Sequence, residues 1–110
     1  MMKELTVLEQ LILSSIVNLG QDAYGVSVRQ TVRKLIGKKM NYGTLYNALD
    51  QLLRKGFVIK SKGDSSPERI GRPRIHYSLT STGKKALWEA YQLHANIWKS
   101  IPDFIKDYKP

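Results

Sequence analysis

These 110 residues predict a mainly α chain with one small β-hairpin, in the order helix, helix, helix, hairpin, long helix. Three observations carry that expectation. Apolar side chains recur at helical spacing in four separate stretches, each opened by a capping residue or closed by glycine. Two short alternating stretches flank a segment dense in Gly, Pro, Ser and Asp. The positive charge is also concentrated. Residues 29–85 hold 14 of the 18 Lys and Arg but only three of the nine acids, a net of +11, while the two ends together net −2.

The first helix opens in "LTVLEQLILSSIVNLG", where Thr6 and Glu9 stand three apart as a capping box. Leu8, Leu11, Ile12, Ser15, Ile16 and Leu19 follow the helical period, and Gly20 is placed to stop it. Val7, Leu13 and Val17 widen the stripe, so this helix needs cover on more than one side. After "QDAYG" comes "VSVRQTVRKLIG", with Val28, Val32, Leu35 and Ile36 as its apolar face and Arg29, Arg33 and Lys34 turned away. Its β-branched content makes tertiary packing the source of its stability.

The third helix lies in "MNYGTLYNALDQLLRKGF". Asn41 is its N-cap, Leu45, Leu49, Leu52 and Leu53 its buried face, and Gly56 its C′ residue. "FVIKSK" then reads as a strand with Phe57 and Ile59 on one face, and "RIHYSL" as its partner. In the partner Ile75, Tyr77 and Leu79 point inward and Arg74, His76 and Ser78 outward. Between them "GDSSPERIGRPR" forms a long basic tip. Thr80 caps a last helix that runs until Pro102. Residues 1–80 are thus expected to form one unit and residues 81–110 a terminal helix with a short tail.

This is the order of a winged helix-turn-helix, in which the third helix enters the DNA major groove. The amino end of such a helix needs hydrogen-bonding side chains without strong negative charge. Asn41, Tyr42, Thr44 and Asn47 meet that need, and Tyr46 has the reach for a phosphate. Gly43 lets a backbone come close. In the wing, Arg69, Arg72 and Arg74 fall within six positions, and "GRP" holds one guanidinium on a stiff, extended backbone suited to a narrow minor groove. Charge alone leaves two polyanions open, nucleic acid and an anionic membrane surface.

The motifs "YG" at 24–25, "GTLYNAL" at 43–49, "LLRKGFV" at 52–58 and "GRPRIHYSLTSTG" at 71–83 together resemble the PadR family of transcriptional regulators. The likeness runs from about residue 5 to about residue 91. It implies a winged-helix DNA-binding domain, a carboxy-terminal helix that builds a homodimer, and repression from a roughly palindromic operator. In that family repression is often relieved by a small aromatic or lipophilic effector. Carried onto this sequence, the pattern makes Tyr24, Thr44, Tyr46, Asn47, Arg72 and Arg74 the expected DNA contacts, and leaves Tyr77 and Leu79 structural. The short tail resembles the compact subgroup with a single dimerisation helix, which puts any effector site between the subunits.

The terminal helix points to dimerisation on its own account. Leu87, Tyr91, His94, Ile97, Trp98 and Ile101, with Trp88 beside them, spread apolar surface around more of the helix than one small domain can cover. A symmetric twin is the self-complementary solution. Trp88 and Trp98 are the aromatic groups that would hold a planar effector across a dimer axis.

Other function classes find little support. The chain has no cysteine, so disulfides and Cys-based zinc sites are excluded, and no metal or cofactor motif is present. His76 and His94 lack a matched acid, and no Ser–His–Asp set or phosphate-cradling glycine loop occurs, so no enzyme is expected. The longest uncharged run, residues 10–21, is too short to span a bilayer, and no signal peptide opens the chain; a cytoplasmic setting is expected. The rival to a DNA-binding role is a winged-helix interaction module whose basic face docks an acidic protein.

Overall fold

The computed structural model describes residues 4–62, 74–101 and 103–110. Helix α1 (Val7–Leu19) runs into a single 3₁₀ turn (Gly20–Asp22) and then α2 (Gly25–Ile36) and α3 (Tyr42–Arg54). Strands β1 (Val58–Lys62) and β2 (Ile75–Leu79) form an antiparallel hairpin, with Val58 opposite Leu79 and Lys62 opposite Ile75. Helices α4 (Ser81–Ser100) and α5 (Phe104–Asp107) complete the chain. The fold is the expected winged helix with a long terminal helix.

The element boundaries have local causes. The Glu9 N–H donates to Thr6 Oγ1 at 3.0 Å and the Thr6 N–H donates to Glu9 Oε1 at 2.9 Å, closing the predicted capping box. At the end of α3 the Phe57 N–H reaches the Leu52 carbonyl and the Gly56 N–H the Leu53 carbonyl, with Gly56 at φ 77°. That is a Schellman closure, and its left-handed residue favours glycine. The core beneath is one cluster: Ile12, Leu13 and Ile16 of α1, Val28 and Val32 of α2, and Leu45, Leu49 and Leu52 of α3, joined by Phe57, Val58 and Tyr77.

The structure departs from expectation at five points. Leu35 and Ile36 are exposed, because the buried side of α2 ends at Val32. Phe57 and Ile59 do not share an inward face: Phe57 packs inward as the residue after the Schellman glycine, Val58 then takes the inward strand position, and Ile59 faces solvent. Ile75, nearest the wing tip, is also largely exposed. His76 is half-buried instead of outward, because a third segment pairs with β2: Tyr24 forms an antiparallel bridge to His76, and the Tyr77 N–H donates to the Ala23 carbonyl at 2.9 Å. Helix α5, beyond Pro102, was not anticipated.

The start of α4 is bolted to the wing. Thr80 Oγ1 accepts from the Gly83 N–H at 3.0 Å and donates to the Gly56 carbonyl at 2.6 Å, while the Thr80 N–H donates to the Phe57 carbonyl. Gly83 is packed so tightly that a Cβ there would overlap the Phe57 carbonyl oxygen. From this anchor α4 extends for 20 residues, about 30 Å, and the chain measures 56 × 35 × 22 Å. Among the described residues no helix is long and apolar enough to cross a membrane.

Candidate nucleic-acid interface

The first turn of α3 is built as a fixed surface. Asn41 Oδ1 accepts from the Thr44 N–H at 2.7 Å, so its carbonyl caps the helix and its amide NH₂ faces outward. Met40 before the cap and Leu45 in the helix are both buried in the core, the pairing of a hydrophobic staple. Opposite the buried leucines, Tyr42, Gly43, Thr44, Tyr46 and Asn47 are exposed. A Cβ on Gly43 would meet only Asn41 Oδ1, at 3.4 Å, so nothing within the protein requires glycine there.

The tyrosines are ordered against α2. Tyr42 and Tyr46 stack with ring centroids 6.1 Å apart and planes 20° from parallel. The Tyr46 hydroxyl seats against Gly25, where any Cβ would collide with it. Arg29 covers the outer ring: its guanidinium carbon is 4.2 Å from the Tyr42 centroid, and its Nε–H donates to the Met40 carbonyl at 2.6 Å. Tyr77, buried below, has its phenol pushed up by burial, with Tyr46 and Asp50 adding to the effect.

A second cluster ties the wing to the α1–α2 turn. Tyr24 meets His76 edge to face, centroids 5.8 Å apart, and the Arg74 guanidinium lies 4.8 Å from the Tyr24 centroid. His76 Nε2 sits 3.0 Å from the Gly20 carbonyl oxygen, which can only accept, so this nitrogen carries the proton. Arg74 is therefore held at the base of the wing, while Arg69 and Arg72 lie outside the described residues. Exposed amides, hydroxyls and phenols flanked by Arg29 and Arg74 match the chemistry of base edges and phosphates.

Residues 12–89 match the Transcriptional regulator PadR-like family, well over half of the chain. The chain belongs to the PadR-like family of transcriptional regulators. The structure is similar to a PadR family transcription regulator from Clostridium difficile, 26% identical with TM-score 0.70, covering 91% of this chain and 99% of that one. It is similar also to a PadR-like transcription factor from Bacteroides fragilis, 26% identical with TM-score 0.67, covering 84% of each. RosR of H. salinarum is 25% identical with TM-score 0.66, covering 94% of this chain and 86% of that one. Among curated proteins none matches. The family is one of regulators and not of enzymes.

The far end of this PadR-like chain carries the other predicted residues. Trp88, Tyr91, Leu93, Ile97 and Trp98 of α4 are exposed, as are Val7 and Val17 of α1. Leu87 and Ile101 are half-buried, and His94 Nε2 donates to Gln10 Oε1 at 2.9 Å, joining α4 to α1. Beside that link lies an apolar groove of about 490 Å³ between α1 and α4, lined by Val7, Leu11, Leu87, Ala90 and Tyr91. Trp88 and Trp98 stand ten residues apart, about 15 Å along the helix, so one chain does not bring them together. Three features escaped the sequence reading: the Arg29 clamp, the Gly25–Tyr46 seat and the Tyr24–His76 bridge. The last two left a trace there, in the motifs "YG", "GTLYNAL" and "RIHY".

Proposed function

We propose that this chain is a sequence-specific DNA-binding repressor that acts as a homodimer on a pseudo-palindromic operator. The observation that carries the reading is the two-sidedness of α3. Leu45, Leu49 and Leu52 are buried, while Asn41, Tyr42, Thr44 and Asn47 form an exposed polar face with Asp50 as its only acid. In this reading Asn41, Thr44 and Asn47 reach base edges and the Gly43 backbone approaches the duplex. Tyr24 and Tyr46 contact the sugar–phosphate chain, and Arg74, with Arg69 and Arg72, engages the wing-side groove. Each phosphate neutralised steepens the log–log salt dependence by about 0.9.

The exposed α4 side chains support the dimer. Covering Tyr91, Ile97 and Trp98 with a twin chain removes an apolar surface of a kind monomers rarely leave open. Two-fold symmetry then sets the two α3 helices about one DNA turn, roughly 34 Å, apart. Residues 1–80 act as the DNA-binding unit and residues 81–110 as the dimerisation arm. A small aromatic or lipophilic effector would lodge between the arms, with Trp88 and Trp98 contributed by different chains. It would weaken DNA binding by favouring a dimer form with the wrong half-site spacing.

The test is selection from random-sequence duplex DNA at two salt concentrations, followed by sequencing of the retained pool. A two-fold symmetric motif with half-sites one turn apart is expected. Retention without any motif, lost steeply in salt, would overturn sequence-specific regulation and turn attention to an acidic protein partner.

A further inference from the structure

Arg29 lies on α2, outside the face just described, yet it touches the two groups that set how α3 begins. Its Nε–H donates to the carbonyl of Met40, the residue preceding the N-cap. Its guanidinium carbon lies over the ring of Tyr42, the first residue of α3. Tyr42 in turn stacks on Tyr46, whose hydroxyl is seated on Gly25, back on α2. These contacts close a ring that leaves α2 at Arg29 and returns to it at Gly25. The two ion pairs among the described residues, Glu9–Lys55 and Lys85–Glu89, leave Arg29 out; the described groups it meets are a carbonyl and a ring.

We infer that Arg29 is a positioning residue for base readout: it fixes the pitch and rotation of the first turn of α3 and makes the Tyr42–Tyr46 pair a rigid platform, without itself reading a base. The inference rests on the DNA-binding reading and adds to it. A lysine could keep the charge but not the contact. Guanidinium presents an in-plane Nε–H and a flat face together, whereas an ammonium is a point charge on a flexible stem. The displacement needed to spoil readout is small, because bidentate base contacts tolerate little error in angle or distance.

The experiment compares the full-length wild type with Arg29→Lys, Arg29→Gln and, as a charge control on the α2–α3 turn, Lys38→Gln. Each is titrated against the selected operator duplex and a scrambled duplex at several salt concentrations. Exchange of the Thr44 and Leu45 amides is followed without DNA. Arg29→Lys is expected to lose about tenfold in operator affinity, the scale of one hydrogen bond from a charged donor, while scrambled-duplex affinity and salt slope stay as in the wild type. Its Thr44 and Leu45 amides should exchange faster. Lys38→Gln should weaken both duplexes alike.

Equal discrimination by Arg29→Lys and wild type would overturn the inference alone, as would an Arg29→Gln that merely mirrors Lys38→Gln with a slope lower by about 0.9. A wild type that fails to discriminate at all would overturn the DNA reading and this inference with it. A cooperative thermal melt at the wild-type Tm reports that each variant is folded.

Discussion

The Glu9 carboxylate, almost fully buried, lies 2.7 Å from the Lys55 ammonium and joins the first turn of α1 to the C-cap of α3. The same carboxylate completes the Thr6 capping box, so one side chain serves two helices. Burial alone would raise its pKa. The Lys55 hydrogen bond, the Thr6 N–H and the Lys55 charge outweigh that and hold it below the ordinary carboxylate value.

A group whose pKa is depressed on folding contributes stability above its unfolded value, about 4.3 for Glu, and loses that contribution as pH falls through the folded value. Urea melts of the wild type should therefore lose stability more steeply below about pH 4.3 than melts of Glu9→Gln, whose amide still serves the capping box. At pH 7 Glu9→Gln should be less stable by about 1.5–3 kcal/mol, the scale of a hydrogen bond to a charged group. Lys55→Met should cost more, about 3 kcal/mol or above, because it strands a buried charge. Identical pH profiles for wild type and Glu9→Gln would refute this role for the pair.

Gly83→Ala tests the anchor of α4. Its Cβ would collide with backbone, the Phe57 carbonyl, and backbone cannot swing aside as a flexible side chain can. A loss of about 3 kcal/mol is expected, the upper end for forced overpacking, and should appear as a clear fall in Tm. The gain in helix propensity from Gly to Ala, about 1 kcal/mol, would offset only part of it. An unchanged Tm would mean that α4 is not anchored there.

Much of this architecture was legible because local rules and the fold agree. Thr6, Asn41 and Thr80 cap the helices they were expected to cap, and Gly20 and Gly56 stop theirs with positive φ. The failures have separate causes. Leu35 and Ile36 have the right period for burial, but period says nothing about where a neighbouring element ends. Ile59 loses its inward place because the Schellman closure turns Phe57 inward and Val58 takes the next inward position. The links Arg29 to Met40, Glu9 to Lys55 and Tyr24 to His76 bring together residues 11, 46 and 52 positions apart, and no spacing rule reaches across such separations. The polar face of α3 was visible residue by residue; that Arg29 and Gly25 hold it rigid was not.

Gly43 separates stability from function. Alanine there meets only Asn41 Oδ1 at ordinary contact distance and lies within α3, so Gly43→Ala should raise stability by up to about 1 kcal/mol. If the α3 backbone approaches a duplex at this point, the added methyl should weaken operator binding about tenfold, by steric exclusion of one close contact. A more stable variant with unchanged affinity would remove Gly43 from the interface.

The exposed face of α4 makes the last prediction. Tyr91 is 66% exposed beside the α1–α4 groove, and Trp98 is 57% exposed about two turns further on. Sedimentation should show the wild type as a dimer at micromolar concentration, and Tyr91→Asp as a monomer, since an unpaired carboxylate buried in an apolar interface costs several kcal/mol. Neither the core nor α3 includes Tyr91, so the monomer should melt as a folded domain. Its operator affinity should fall by at least a hundredfold, because each α3 would then bind a half-site without the high local concentration that linkage supplies. Scrambled-duplex binding should fall far less. A monomeric variant that kept full operator affinity would show that one chain reads the whole site, and would remove the two-fold operator from the proposal.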